Sequence, residues 1–131
     1  MIVDSSAIVA ILKQESDWEI FAEKLDEAGD ISISAGTYFE TSIVIGRINN
    51  PIMNRQIDEL MVEFSIEIEP FTAEQARIAR QAYRDFGKGS GHPANLNFGD
   101  CFAYALARVK RQPLLYKGDD FVYTDVRSAI G

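Results

Sequence analysis

The chain has 131 residues, 47% of them apolar, and its 13 basic and 20 acidic side chains give a formal net charge of −7. That is an ordinary globular composition at the size of one domain, spanning residues 1 to 131, large enough to fold without disulfides or a structural metal. A single cysteine, Cys101, excludes an internal disulfide scaffold and any Cys-rich zinc module. Met1-Ile2-Val3-Asp4 opens with no basic segment and apolar h-region, and no uninterrupted apolar run reaches about 18 residues, so a soluble cytoplasmic protein with no membrane partner is expected.

In chain order, Ile2-Val3 is a short apolar run ending in Asp4, and Ser5-Ser6 supplies cap-type hydroxyls for an apolar helical segment to about Lys13. A second helix, about Asp17 to Ala28, carries Trp18, Phe21, Ala22 and Leu25 at i, i+3, i+4 and i+7. Ile31, Ile33 and Ala35 alternate with Ser32 and Ser34, which predicts a strand entering a helix near Thr37. That helix, Tyr38 to about Ile48, is apolar on more than one side, which predicts that it is largely buried. Ile57, Leu60, Met61 and Phe64 mark another amphipathic helix, and Ile66, Ile68 and Pro70 a short strand. Thr72-Ala73-Glu74-Gln75 reads as a capping box, followed by Ala76, Ala79, Tyr83 and Phe86 on one face. Gly87 to Asn97 is a Gly-rich loop containing the only histidine, His92, expected to be solvated. Phe98, Cys101, Phe102, Ala105, Leu106 and Val109 then form one helical stripe, which Pro113 ends before the buried strand Leu114-Leu115-Tyr116.

Strands separated by helices in this rhythm predict an α/β domain, three-layer α/β/α with a mostly parallel central sheet, because parallel neighbours need crossovers and these crossovers are helical. Ligands of such sheets bind at the carboxyl ends of the strands. Asp4 follows the first strand, Glu40 lies in the helix after the second, Asp100 in the first turn of the last helix, and Asp119-Asp120 after the last strand.

Each acid alone has a plain structural explanation: Asp4 as an N-cap, Glu40 and Asp100 as first-turn acids that complement a helix dipole. Asp100 also falls opposite the apolar stripe, with Gly99 at or near the cap. Jointly they would converge at one end of the sheet, where unneutralised carboxylates raise each other's pKa and a cluster that stays ionised needs a cation. All-oxygen donors without Cys or His favour Mg²⁺ or Mn²⁺ over zinc. Such an ion activates water and offsets charge developing on a phosphate. No nucleophile-base pair competes with this chemistry.

The segments Met1-Ile2-Val3-Asp4-Ser5-Ser6-Ala7, Tyr38-Phe39-Glu40-Thr41, Asn97-Phe98-Gly99-Asp100-Cys101-Phe102-Ala103-Tyr104-Ala105 and Leu114-Leu115-Tyr116-Lys117-Gly118-Asp119-Asp120-Phe121 resemble, in order and spacing, a PIN-domain ribonuclease. More narrowly they resemble the VapC toxins of bacterial type II toxin-antitoxin systems. The resemblance implies a Mg²⁺- or Mn²⁺-dependent endoribonuclease, homodimeric, cutting structured RNA of the tRNA or rRNA class and silenced by a cognate VapB-type antitoxin. It makes Asp4, Glu40 and Asp100 the acids of the metal site, with Glu40 acting through water, and Ser6 the hydroxyl that steadies it. The fourth acid is Asp119 or Asp120.

Charge is unevenly placed: residues 1 to 76 sum to −11, residues 77 to 117 to +6. Within the basic part Arg77, Arg80 and Arg84 share a helix face with Lys88 just beyond, a stripe suited to RNA phosphate or to the acidic half of the chain. Lys110 and Arg111 suit a helix C-terminus. Cys101, on the apolar stripe, is expected in the core, as are Trp18, Phe21, Ile43 and Ile57, unless part of that surface serves the dimer or an antitoxin helix. Two alternatives differ in class: a PIN-like RNA- or antitoxin-binding module without catalysis, and a phosphoacceptor receiver domain. The receiver would want adjacent acids at the first strand end, where Asp4 stands alone.

Overall fold

The computed structural model describes residues 1–131. Ten elements follow one another: β1 (Ile2–Val3), α1 (Ser5–Leu12), α2 (Trp18–Glu27), β2 (Ser32–Ser34), α3 (Ala35–Gly46), α4 (Pro51–Glu63), β3 (Glu67–Glu69), α5 (Ala73–Phe86), α6 (Phe98–Lys110) and β4 (Leu114–Leu115). The strands form one sheet in the order β3-β2-β1-β4, and every pairing is parallel, with Ile2 opposite Ser32 and Leu114, and Ile33 opposite Ile68.

Strand alternation divides the core into two layers. Val3, Ile33 and Leu115 point to one face, where Ala7 and Ile8 of α1, Phe21 and Leu25 of α2, Ile45 of α3 and Ile57, Leu60 and Met61 of α4 cover them. Ile2 and Leu114 point to the other, beneath Ala82 of α5, Ala103, Tyr104, Leu106 and Ala107 of α6, Leu96 and Phe121. The three-layer α/β/α expectation therefore holds, and no helix is long and apolar enough to cross a membrane.

Burial on both faces explains the first departure from the sequence reading. Ser32 and Ser34 alternate with isoleucine, yet both serines are buried, because the strand lies inside a covered sheet and not at a half-solvated surface. Ser34 is spent as the N-cap of α3, accepting from Gly36 N at 3.2 Å, so the helix begins at Ala35, earlier than the alternation suggests, and Glu40 sits in its second turn. Helix α3 is not largely buried: Thr37, Thr41 and Ile45 face inward, while Phe39, Ile43, Val44 and Ile48 are exposed.

On α5 the buried line is Gln75, Ala79 and Ala82 with Ile78 and Phe86 partly covered, rotated from the expected face, so Ala76 and Tyr83 are exposed. Thr72 caps Gln75 N, but the Gln75 amide donates to Pro70 O, so the capping box is half formed. Helix α6 has no single stripe. It lies between the sheet, α3 and α5, and buries every residue from Gly99 to Ala107 except Phe102, which is partly covered. Cys101 is in the core as expected, whereas Phe98, at the start of the helix, is exposed.

Among the remaining residues, His92 departs from the solvated loop position expected of it, while Lys110, Arg111, Phe21 and Ile57 stand as expected. His92 is half-buried, edge-on to Phe86 at 4.9 Å, with Nδ1 accepting from Ala94 N. Lys110 reaches Glu69 at 2.8 Å and ties α6 to the edge strand β3, and Arg111 closes α6 as its C-cap in the left-handed region at φ 54°. Phe21 and Ile57 are buried, Trp18 half-buried.

Candidate active site

Asp4 leaves the carboxyl end of β1, where its N–H donates to Leu115 O of β4 at 2.9 Å. It caps α1: Oδ2 accepts from Ser6 N at 3.1 Å and from Ser6 Oγ at 2.6 Å. The Ser6 hydroxyl in turn accepts from Lys117 N at 2.9 Å, so one oxygen ties Asp4 to the loop after β4. Lys117 itself turns outward to Glu15 and Asp17. Asp4 is buried, and its second oxygen, Oδ1, has no hydrogen-bond partner. A buried carboxylate oxygen left without a donor carries a large desolvation cost.

Glu40 comes from α3 and lies against the first turn of α6. Its Oε1 accepts from Ser5 Oγ at 3.0 Å. Its other oxygen occupies the space that a Cβ on Gly99 would fill, 1.7 Å from where that Cβ would stand. Gly99 is therefore the residue that lets the carboxylate approach the helix.

Asp100 is fixed by its own helix start. Asn97 is the N-cap of α6: its Oδ1 accepts from Asp100 N at 2.9 Å, and Asp100 Oδ2 accepts from Asn97 N at 3.0 Å, a complete capping box. The cap is thus Asn97 and not Gly99, and Asp100 is buried, not turned away from the core.

Electrostatic interactions link these groups pairwise. Burial pushes the Asp4 carboxyl up to about 6, against the lowering effect of its Ser6 hydrogen bonds, and the charge of Glu40 adds to the rise. Asp100 is raised well above the carboxylate range, first by burial, then by the charges of Asp4 and Asp120 and a carboxyl hydrogen bond with Asp120, with the Asn97 backbone opposing. Asp120 is thus the acid that faces Asp100. Asp119 and Asp120 are both exposed in the turn after β4, and it is Asp120 that bears on Asp100.

The donor set fits a hard divalent ion. Asp4 lies within electrostatic reach of Glu40, and Asp100 of Asp4 and Asp120, but no three of the acids are grouped closely enough to hold an ion by side chains alone. Mg²⁺ keeps several waters and takes one or two carboxylates, so a pair with an orphaned oxygen between other acids matches it better than a closed cage would. A cation there would satisfy Asp4 Oδ1 and offset the burial cost, and the smaller repulsion from neighbouring acids, that raise the Asp4 and Asp100 carboxyls.

Away from the recess, Arg77, Arg80, Arg84 and Lys88 are all exposed along α5 and just after it, and none of them enters an ion pair. The stripe does not pair with the acidic half of the chain. Three contributors escaped the sequence reading: Ser5, Gly99 as the seat of Glu40, and Asn97. Asn97-x-x-Asp100 is a capping-box pattern, and it was the one signal available.

The PIN domain family matches residues 1–126. The chain is 52% identical over 130 residues to a protein of Mycobacterium bovis named VapC ribonuclease Mb0625, covering 99% of this chain and 98% of the relative. It is 48% identical over 129 residues to Ribonuclease VapC42 of Mycobacterium tuberculosis, with 98% of each covered. Among solved structures, the Mycobacterium tuberculosis toxin VapC20, described as cleaving the sarcin-ricin loop, superposes with a TM-score of 0.72 at 17% identity, over 96% of this chain and 98% of that one. FitAcB from Neisseria gonorrhoeae superposes with a TM-score of 0.69 at 23% identity, over 97% and 94%. At such identities the structures speak for the fold, while the sequence relatives place the molecule: this chain belongs to the PIN-domain family and, within it, to the VapC ribonucleases.

Proposed function

We propose that this chain is the toxin of a type II toxin-antitoxin pair, a Mg²⁺- or Mn²⁺-dependent endoribonuclease in which Asp4, Glu40, Asp100 and Asp120 hold the ion. The observation that carries the metal reading is Asp4: a buried carboxylate with one oxygen fixed by Ser6 and the other without a partner, among three more acids. The bound ion would supply an activated water and offset the charge that develops on the phosphate during in-line displacement.

The remaining work belongs to the chain. Ser6 fixes the rotamer of Asp4 and joins it to the β4 loop, so the distance between the two strand ends is set before any ligand arrives. Ser5 and the Gly99 seat hold Glu40, which would reach the ion through water. The capping box orients Asp100, and without a cation Asp100 retains a proton at neutral pH, so binding of the ion releases one. The acids repel phosphate, and RNA must be drawn in from elsewhere: Arg77, Arg80, Arg84 and Lys88 are free, exposed cations for that purpose.

The substrate class is structured RNA of the tRNA or rRNA kind, the protein acts in the cytoplasm as a homodimer, and a VapB-type antitoxin is its inhibitor. The relatives' names and the toxin-antitoxin complexes among the solved neighbours support the toxin role. The receiver alternative finds no support: β3 ends in Glu69, which Lys110 occupies, and no acid stands beside Asp4 at the first strand end.

The test is cleavage of total RNA by the purified chain with Mg²⁺ or Mn²⁺, expected to vanish with EDTA and with Asp4→Asn. Cleavage indifferent to EDTA would remove the metal from the mechanism. Binding of RNA with no cleavage under any divalent ion would leave the non-catalytic module.

A further inference from the structure

A recess of about 490 Å³ opens beside the acids, on the face where α3 meets the start of α6. Glu40 and Gly99 close one end, and Arg47, the C-cap residue of α3, closes the other, seven residues or about 10 Å further along the helix axis. Between them stand the rings of Phe39 and Phe98, 67% and 76% exposed, with Ile43 and Val44 along the α3 wall. Phe102 forms the back wall and is held in place by edge-on contacts with Phe98 at 5.1 Å and with Phe71 at 4.7 Å. Two phenyl rings so exposed on a chain of this size are costly in water, and the free cation beside them has no partner in the protein.

We infer that this recess is the subsite for the nucleotide adjoining the scissile phosphate, with its base stacked on Phe98 and its outer phosphate on Arg47. The inference rests on the endoribonuclease reading and adds the substrate form that this site takes: an unpaired, unstacked nucleotide. Aromatic faces accept any base and cations accept the backbone, the combination by which single strands are bound. A purely apolar protein segment would fill the aromatic part but leave Arg47 against hydrocarbon, whereas a nucleotide satisfies both ends. The position of Phe98, two residues before Asp100 on the same helix, couples the stacked base to the acids rigidly. Only an extruded or loop nucleotide has a free face to offer, so paired RNA is excluded from the recess.

The test uses the full chain carrying Asp100→Asn, so that binding is separated from cleavage, and a short single-stranded RNA of mixed sequence. Phe98→Leu should weaken binding roughly tenfold or more, the scale of one base-ring stack, and Phe98→Trp should restore it. The new indole should also be quenched by the RNA, while the Trp18 emission of the parent chain is unmoved. Arg47→Ala should flatten the salt dependence by about one phosphate contact. Leucine as good as phenylalanine, or an unquenched indole, overturns the subsite. So does a Phe98→Leu chain that binds RNA normally but changes its sedimentation, since the recess would then hold a second protein chain. If the parent chain neither binds nor cleaves RNA, the endoribonuclease reading falls and the subsite with it. If Phe98→Leu in an otherwise native chain cleaves with unchanged kcat and KM, only the subsite falls.

Discussion

Replacing Gly99 with alanine sets activity against stability within a single methyl group. The added Cβ would stand 1.7 Å from Glu40 Oε2 and 2.4 Å from its Cδ, whereas real Cβ atoms essentially never come within 3.0 Å of a neighbour, so the carboxylate must withdraw by at least 1.3 Å. Glu40 is a flexible side chain at the rim of the recess, and swinging away is cheap. What is lost is the hydrogen bond from Ser5 and the position relative to Asp4. A displacement of about 1 Å in a catalytic group costs on the order of 10²-fold in rate, or about 2.7 kcal/mol of transition-state stabilisation. Alanine in a helix is meanwhile favoured over glycine by up to about 1 kcal/mol, so the melting temperature should hold or rise.

The assay is steady-state cleavage of a fluorescent RNA with Mn²⁺, run beside a thermal melt. The expected result is kcat/KM down about a hundredfold with no loss of stability. Shortening the acid should be sign-dependent: Glu40→Asp alone withdraws the carboxylate and lowers activity, whereas in the Gly99→Ala background it relieves the clash and costs less than the sum of the two. A Gly99→Ala chain with native kcat/KM, or one whose melt falls by several degrees, would refute the seat assigned to Glu40.

Three further outcomes follow from the same geometry. Asp100→Asn should abolish cleavage while the metal-free melt stays level or rises, because a neutral amide with an oxygen acceptor replaces a carboxyl that burial and the charges of Asp4 and Asp120 already hold protonated; an inactive chain with a much lower melt would mean that the capping box, not the chemistry, was lost. Asp4, raised from 3.8 to about 6, and Asp100, raised further, bind protons more tightly folded than unfolded. Their contribution is therefore fully present below about pH 4 and lost as pH rises through 6 and beyond, about 3 kcal/mol for Asp4, and the melting gain from added Mn²⁺ should grow from pH 5 to pH 8; a gain independent of pH would separate the ion from these carboxyls. Arg80→Ala with Arg84→Ala should weaken RNA binding more at low salt than at high salt, and equal losses at both would reject an electrostatic role.

The parts of the fold that were legible are those where one physical signal dominates. The parallel α/β/α arrangement follows from the rhythm of short apolar runs and helical periods, and the caps at Asp4 and Thr72 follow from side-chain chemistry that acts locally. Misreadings arose where burial is set by what an element packs against. The serines of β2 are polar and buried because both sheet faces are covered, and α3 is apolar on its outside because that side borders the recess with Phe98 and not the core. Periodicity reports which residues share a face; it does not report whether that face is covered.

The candidate site shows the same division at the level of chemistry. Asp4, Glu40 and Asp100 each serve a local structural purpose or lie beside one, so none is identifiable as functional from its own neighbourhood in the sequence. Asp4 is an N-cap with only one of its two oxygens used, and Asp100 closes a capping box that one uncharged acceptor would close as well. Capping explains an acid at each position but not why further acids stand near them, where Glu40 adds to the rise of Asp4, and Asp4 and Asp120 to that of Asp100, offsetting part of what capping contributes. That excess of charge over what local structure needs was visible in the order of the motifs along the chain. Gly99 was invisible there, because its purpose is an absence of side chain opposite a residue 59 positions away, and only packing brings the two together.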